Sequence, residues 1–552
     1  MSTHDRRQEK HMAESFALTT PIYYVNDKPH LGTAYTTIAC DTLSRFQRMD
    51  GKDVFFLTGL DEHGQKVADS AAAKGVTPQQ WCDDMAPRFK DAWASLNIQY
   101  DYFVRTTDES HTRGVEKFLQ ILLDNGYLYK DSYEGWYCVP EETFFTETQV
   151  RHAEEERAAA GEEPPAEGVH LCPDCNRPLQ RLQEESWFFK LSAFEEQLLK
   201  LYEERPDFVQ PEIRRNEVVS FVKGGLKDLS ISRTTFDWGV PLPFDEGHVT
   251  YVWVDALLNY ITAMGFGDED AQDEFNRRWP AQYHFIGKDI IRFHCVIWPA
   301  MLMAAGMPLP EHVFAHGFLL TKGEKMSKSK GNAVSPADLI EIFGVDAYRY
   351  YFMTDVPFGN DGSISMERMV QVYNADLANT WGNLCSRAFN MAVKYFDGEV
   401  PVLAPERYAE LEAELGNPLR EIAEGLYAAY AEAFNRVDFT GAAAGVAKLS
   451  QRANAYIEEM APWNLAKDEA KADELRFVIY NTLEAIRLLA LYYSPWMPTT
   501  SEIATESLGL SGVTDVTDLE AASAWGKLDA SAHVSKCAPL FPRLQVEDLS
   551  LE

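Results

Sequence analysis

Phe16-Ala17-Leu18-Thr19-Thr20-Pro21-Ile22-Tyr23-Tyr24-Val25-Asn26-Asp27-Lys28-Pro29-His30-Leu31-Gly32-Thr33 reads as three pieces in succession. Phe16 to Thr20 is a short buried strand, Pro21 to Pro29 a loop, and His30 opens a helix that runs past Asp41 with Ile38, Leu43 and Phe46 on its apolar positions. Strand, loop, helix is the order that aims free backbone N–H groups at an anion. His30 could add a donor to phosphate, and Gly32 leaves room for a nucleotide to lie against the backbone. Taken alone, His-x-Gly at a helix start is equally a capping or packing pair.

The same pattern recurs outward along the chain. A second strand, Asp53 to Gly59, leads into Leu60-Asp61-Glu62-His63-Gly64, and a carboxylate there stands where ligands bind in open α/β sheets. Asp61 therefore either holds an ammonium group or caps the next helix. A helix around Val115 to Asp124 ends on the C-cap signal Asn125-Gly126. A further strand, Tyr283 to Gly287, runs into Lys288-Asp289, and Asp289 is the kind of acid that accepts from ribose hydroxyls. Between these segments, Trp253, Ala256, Leu257 and Tyr260 share one helical face, and Phe293, His294, Ile297 and Trp298 another. By pattern alone both aromatic stripes are core.

Glu324-Lys325-Met326-Ser327-Lys328-Ser329-Lys330-Gly331-Asn332 is a basic turn in a chain of net charge -34. It is either a solvated loop or a mobile cationic clamp for phosphate, for which the flexible lysine stem is suited. The acidic total excludes non-specific coating of nucleic acid but leaves a local RNA contact open.

With 552 residues the chain should hold two to four domains. The 1–14 segment reads as a polar tail without the apolar core of an export signal. The most apolar window, Leu488 to Tyr493, is too short to span a bilayer. Eight cysteines, with only two closely spaced, do not form a disulfide framework and suggest a reducing, cytoplasmic setting. The chain ends at Glu552 without a basic or β-rich appendage, which reads as a monomer.

From about Tyr127 to Pro243 the sequence is rich in turns and aromatics and carries Cys138 and Cys172-Pro173-Asp174-Cys175, separated by an acidic stretch, 154–167, expected as a flexible loop. A structural zinc site wants four ligands. Position 141, where a second Cys-x-x-Cys would close, is Glu141; glutamate can ligate zinc, and His170 or His152 could substitute. Zinc and a degenerate knuckle of free thiols both remain open. From about Asn374 the apolar spacing is helical, over 408–415, 419–437, 441–460 and 472–493, which reads as a separate bundle.

His30-Leu31-Gly32-Thr33 and Lys325-Met326-Ser327-Lys328-Ser329 resemble the two signatures of class I aminoacyl-tRNA synthetases, in the expected order. PIYYVNDKPHLG, TGLDEHGQK, SRTTFDWGVPLP, YVWVDA, FIGKDIIRFHCVIWPAML and AHGFLLTKGEKMSKSKGN resemble the methionyl-tRNA synthetase family, and the likeness covers nearly the whole chain. It implies an α/β split Rossmann-type fold with an inserted connective domain of zinc-knuckle type, a stem-contact region bearing the KMSKS loop, and a C-terminal helical anticodon-binding bundle. The expected boundaries are a 1–14 tail, catalytic halves at 15–126 and 244–316, the insertion at 127–243, the stem-contact region at 317–373 and the bundle at 374–552.

The resemblance further implies that L-methionine reacts with ATP and Mg²⁺ to give methionyl-adenylate and pyrophosphate, and then passes to the terminal adenosine of initiator and elongator tRNA(Met). Asp61 would hold the ammonium group. Ile22, Tyr24, Trp253, Ala256, Leu257, Tyr260, Phe293, His294 and Trp298 would surround the thioether, so the two aromatic stripes become a pocket. ATP would lie over His30 and Gly32, with ribose at Gly287 and Asp289, Lys288 nearby, and adenine beside His316, Gly317 and Phe318. Lys325 and Lys328 would face pyrophosphate. Asn383, Arg387 and Trp463 would read the anticodon, and Cys138, Glu141, Cys172 and Cys175 would hold zinc. Thr33 departs from the family, whose first signature commonly ends in a second histidine; its hydroxyl is expected to weaken or relay a phosphate contact. Alternatives are another class I synthetase, or a tRNA-binding paralogue that has lost activation.

Overall fold

The computed structural model describes residues 13–25, 29–138, 143–145, 147–159, 161, 164–166, 168–321, 324–325 and 336–545. The opening stretch folds as its pattern requires. Strand β1, Ser15–Thr19, is buried along its apolar residues, and helix α1, Leu31–Met49, starts at the N-cap His30. Between them the loop holds a two-residue strand, β2, Tyr23–Tyr24.

Strand β3, Asp53–Asp61, is two residues longer than the sequence indicates, because Leu60 and Asp61 pair with Tyr23 and Tyr24 after β1 has ended. Asp61 is thus the last residue of a strand and caps no helix; the next helix, Gln65–Lys74, has Gly64 at its N-cap. Strand β4, Tyr102–Arg105, pairs with the other side of β3.

All pairings in this main sheet are parallel, and it runs β2, β3, β1, Tyr283–Gly287, His312–His316, Val209–Gln210. The chain returns after more than 200 residues to lay Tyr283 and His284 beside Leu18 and Thr19. The strand order reverses there, at β1, which is where a doubly wound sheet opens a crevice at its strand ends. Val209–Gln210 comes from inside the stretch read as an insertion; nothing in its composition signals that it joins the sheet.

The stretch after Gly126 builds an antiparallel sheet around the long ladder of Leu128–Cys138 and Gln180–Phe189. The acidic run expected as a loop is helical through Ala159, in Glu147–Ala159. Glutamate, alanine and arginine are good helix formers, Val150 and Ala153 give the helix a buried side, and Arg151 and His152 pair with Glu155 and Glu156 one turn on.

The C-terminal half is helical. The expected 419–437 helix is two, Pro418–Glu424 and Leu426–Asn435, broken at Gly425, while Phe439–Met460 and Ala472–Tyr493 run unbroken. Helix α1 is shared between the sheet and this bundle. Phe46 stacks on Phe434 at 4.5 Å, Gln47 bonds Asn435, and Asp50 accepts from Tyr427. Deeper, the Asp41 carboxylate takes Arg45 Nε and an Arg349 terminal nitrogen, both at 2.6 Å, and Arg349 also donates to the carbonyls of Leu96, Pro495 and Trp496. Burial opposes the Asp41 charge, but the two guanidinium groups outweigh it and hold the carboxyl below its ordinary range. No described helix is long and apolar enough to cross a membrane.

Candidate active site and anticodon surface

The crevice at the switch point is bounded by the start of α1 and by the ends of Tyr283–Gly287 and His312–His316. His30 Nδ1 accepts from the Gly32 N–H at 3.1 Å, while Thr33 Oγ1 accepts from the His30 N–H at 3.0 Å. This reciprocal capping box occupies the Thr33 hydroxyl, which also reaches the His30 carbonyl at 2.8 Å. Thr33 is therefore placed to hold the helix start in shape.

Across the crevice, His316 Nδ1 donates to the Gly317 carbonyl, so its Nε2 accepts from Thr36 Oγ1 at 2.6 Å. Burial lowers the His316 pKa and keeps the ring neutral. A Cβ on Gly317 would stand 2.3 Å from the Asn360 carbonyl carbon, and one on Gly287 would stand 2.5 Å from Asp289 Oδ1. Both glycines let a neighbouring group close over the backbone. Lys288 is 2.7 Å from both Asp361 oxygens and 4.4 Å from the Phe318 ring centre, and Asp361 also accepts from the Phe318 N–H at 2.8 Å. Asp361, which sequence reading missed, thereby fixes the wall that carries Lys288 and Phe318.

The two aromatic stripes do meet. Trp253 lies on helix Val252–Thr262, and its ring stacks on Phe293 at 3.9 Å and 10°. Phe293 and His294 stand on a π-helical turn, Phe293–Ile297, before the helix Trp298–Ala304. The sequence spacing indicates an ordinary helix here; the wider turn re-aims these side chains, a distortion common at functional sites. His294 Nδ1 donates to the Ile290 carbonyl, so Nε2 accepts from the Tyr260 hydroxyl at 2.7 Å. Burial pushes the His294 pKa down to about 4, so the acceptor is a neutral imidazole.

Behind them, Trp298 Nε1 donates to His284 Nε2, leaving His284 Nδ1 to donate to Thr19 Oγ1 at 2.8 Å. Tyr260 stacks on His284 at 4.2 Å. Ala256, Leu257, Tyr260, His294 and Trp298 are buried, whereas Ile22, Tyr24, Trp253 and Phe293 are half-buried. The half-buried four pack against the core that holds Leu257, Tyr260 and Trp298.

Asp61 is 7% exposed, and its neighbour across the register is Tyr24. Beside it runs a network that sequence reading did not assign. Asp255 is fully buried and bonds His63 Nδ1 at 2.6 Å and His111 Nε2 at 2.8 Å. Burial alone would raise the Asp255 carboxyl, but the two imidazoles hold it at about 2. The pair ties the turn after Asp61 to the helix bearing Trp253 and Tyr260. Its signal was present: Asp255 is the one carboxylate inside an otherwise apolar helical run.

In the bundle, Asn383 Nδ2 bonds Asn454 Oδ1 at 3.1 Å, and Arg387 pairs with Glu458 at 2.7 Å. Both line a cleft of about 350 Å³ with Asn379, Thr380 and Gln451. Ala461 takes a left-handed φ of 44°, which ends one helix, starts Pro462–Leu465 and turns Trp463 outward. Trp463 is 37% exposed and lies 5.9 Å from the Arg387 guanidinium, so the three residues share one surface.

In the antiparallel sheet the sulfurs of Cys138, Cys172 and Cys175 all lie within 4.8 Å of one another. Three convergent thiols suit zinc. His170 is turned to Glu154 at 2.7 Å and His152 to Glu156, so neither joins the sulfurs. Glu141 and Lys328 lie outside the described residues. Lys325 pairs by its backbone with Leu320 in a hairpin, Leu319–Thr321 with Glu324–Lys325.

A parallel sheet with its crevice at the switch point is joined to a helical bundle with an open polar cleft, and both parts match known families. The family model described as tRNA synthetases class I (M) matches residues 16–389, and the anticodon binding domain of methionyl tRNA ligase matches residues 404–550. A methionine–tRNA ligase of Caldanaerobacter subterraneus subsp. tengcongensis is 47% identical over 536 residues, covering 97% of this chain and 80% of that one. One from Streptomyces coelicolor is 47% identical over 547 residues, covering 97% and 98%. The solved methionyl-tRNA synthetase of Mycobacterium tuberculosis in complex with methionyl-adenylate superposes with a TM-score of 0.87 at 42% identity, covering 96% of this chain and 100% of that chain. The chain belongs to the methionyl-tRNA synthetases.

Proposed function

We propose that the protein is a methionine–tRNA ligase whose crevice activates L-methionine and whose bundle selects tRNA(Met), initiator and elongator alike. The observation that carries this is family likeness along almost the whole chain, supported by the aromatic cluster of Trp253, Phe293, Tyr260 and His294 and by a buried carboxylate at Asp61. A carboxylate oxygen of methionine attacks the α-phosphorus of ATP, and the bond to the β-phosphate breaks to release pyrophosphate. A hydroxyl of the terminal adenosine then attacks the acyl carbon, and AMP leaves.

Asp61 holds the ammonium group, and Trp253, Phe293, Tyr260, His294, Ile22, Tyr24, Ala256, Leu257 and Trp298 enclose the side chain. A polarizable, unbranched thioether suits these rings. The α1 start at His30 and Gly32 faces phosphate; Gly287 and Asp289 take the ribose, and His316, Gly317 and Phe318 the adenine. Lys288, engaged with Asp361, acts by fixing that wall. Magnesium arrives with ATP and shares the phosphate charge. Lys325 and Lys328 serve pyrophosphate. Asn383 and Arg387 read base edges and Trp463 stacks on an unpaired base.

Cys138, Cys172 and Cys175, with Glu141 as fourth ligand, hold a structural zinc ion that cross-links the knuckle. Metal analysis should find about one zinc per chain, lost in Cys172→Ser; three freely titrating thiols in the wild type would contradict this. The free cysteines support a cytoplasmic setting, and a net charge of -34 supports a monomer through repulsion between copies. The decisive test is exchange of labelled pyrophosphate into ATP. It should require methionine and ignore other amino acids; no exchange with any amino acid would overturn the enzyme reading.

A further inference from the structure

Phe293 and His294 stand on a stretch of backbone that cannot complete its own hydrogen bonding. They lie on the π-helical turn Phe293–Ile297, and the helix that follows, Trp298–Ala304, carries Pro299 in its first turn. In a regular helix the Cys295 carbonyl would accept from the N–H four residues on; that residue is Pro299, which has none. The turn already departs from regular spacing, since the Trp298 N–H reaches the Phe293 carbonyl five residues back. Cys295 is fully buried, so solvent does not reach its carbonyl.

The donor comes from a distant part of the chain. Tyr202 Oη donates to the Cys295 carbonyl at 2.5 Å, across 93 residues. Tyr202 is buried, and burial pushes its pKa up, so the hydroxyl keeps the proton it donates. Its helix, Glu195–Glu204, buries Leu198 and Leu201 in the same core as Cys295 and Ile297. The chain then enters Val209–Gln210, which pairs with Val313 and Phe314 in the main sheet. A packed helix and a strand of the sheet thus fix where the hydroxyl stands. Before the turn, a second side chain does similar work: His294 Nδ1 donates to the Ile290 carbonyl.

We propose that Tyr202 is a positioning residue for methionine: by bonding the Cys295 carbonyl, its hydroxyl holds the π-helical turn in the form that presents Phe293 and His294 to the amino-acid side chain. The inference rests on the methionine pocket proposed above. Without the hydroxyl, a buried carbonyl is left bare, and the turn gains by shifting to any arrangement that gives it a partner. Methionine then binds only the fraction of molecules that keep the turn, and its apparent affinity falls by that fraction. ATP is affected less, because Gly287 and Asp289 precede the turn and follow directly from the strand Tyr283–Gly287.

The test uses the full-length protein and Tyr202→Phe, which removes one oxygen and keeps the packed ring. In pyrophosphate exchange the KM for methionine should rise by about 5- to 100-fold, the range for a buried carbonyl left without its donor. The kcat and the KM for ATP should stay within about twofold, the pattern of lost ground-state binding. In the free protein, backbone hydrogen exchange over residues 293–298 should quicken in Tyr202→Phe, and saturating methionine should return it to the wild-type rate. An unchanged KM for methionine would overturn the proposal. So would an equal rise in the KM for ATP, which would make Tyr202 a support of the whole crevice, or wild-type hydrogen exchange in the free variant. Absence of methionine-dependent exchange of pyrophosphate in the wild-type protein would instead sink the activation reading on which the proposal stands.

Discussion

Asp61→Asn is expected to lower kcat/KM for methionine in pyrophosphate exchange by about 100- to 1,000-fold, the cost of leaving a buried charge without its partner. The KM for ATP should barely change. Asp61 ends β3 at 7% exposure beside Tyr24, which packs against the core that holds Tyr260 and Trp298. Asparagine keeps the shape and an acceptor oxygen but cannot neutralise an ammonium group. The substitution should not collapse the segment, because His63, two residues on, is held independently by Asp255. The thermal midpoint should therefore stay near the wild-type value. A fall in kcat with an unaltered KM for methionine would show that Asp61 does not hold the ammonium group.

Lys328→Ala is expected to slow adenylate formation by about 100- to 1,000-fold, comparable to removing one preorganised donor from developing charge. Methionine affinity should change less than about threefold, since interactions made only in the transition state leave ground-state binding alone. The support is positional. The hairpin of Leu319–Thr321 with Glu324–Lys325 follows Phe318, whose N–H and ring meet the Lys288–Asp361 pair, so the signature begins next to the proposed adenine wall. Rapid-quench measurement of the adenylate, set against equilibrium binding of methionine, separates the two quantities. Equal losses in both would refute the assignment.

Much of this architecture is legible in the residues, for identifiable reasons. Ser15–Thr19, Tyr283–Gly287 and the long helices of the bundle carry strong apolar periodicity, and Asn125-Gly126 ends its helix with ordinary capping chemistry. By pattern alone the aromatic stripes read as core, because a stripe fixes a face and not what packs against it. The structure adds what depends on distant partners. The end of β3 forms because Tyr23 and Tyr24 are brought alongside it. The π-helical turn at Phe293 lies inside a sequence with helical spacing, and only Pro299, which clashes with a regular preceding turn, hints at it. Asp361 and Lys288 are 73 residues apart, and Asp255 reaches His63 and His111 across 192 and 144 residues; pairings of this kind leave no periodic trace. Over 154–159 the flexible-loop expectation gave too much weight to charge and too little to the helix propensity of glutamate and alanine.

The Asp41–Arg349 pair has a consequence for how the protein comes apart. It joins the helix that opens at His30 to the turn at Pro495 and Trp496, and neither member has any exposure to water. Pulling the bundle from the sheet would break, together, the ion pair and the Arg349 bonds to the carbonyls of Leu96, Pro495 and Trp496. The catalytic sheet and the helical bundle are accordingly expected to melt in a single transition, which calorimetry would check; two resolved transitions would show that this junction does not couple them.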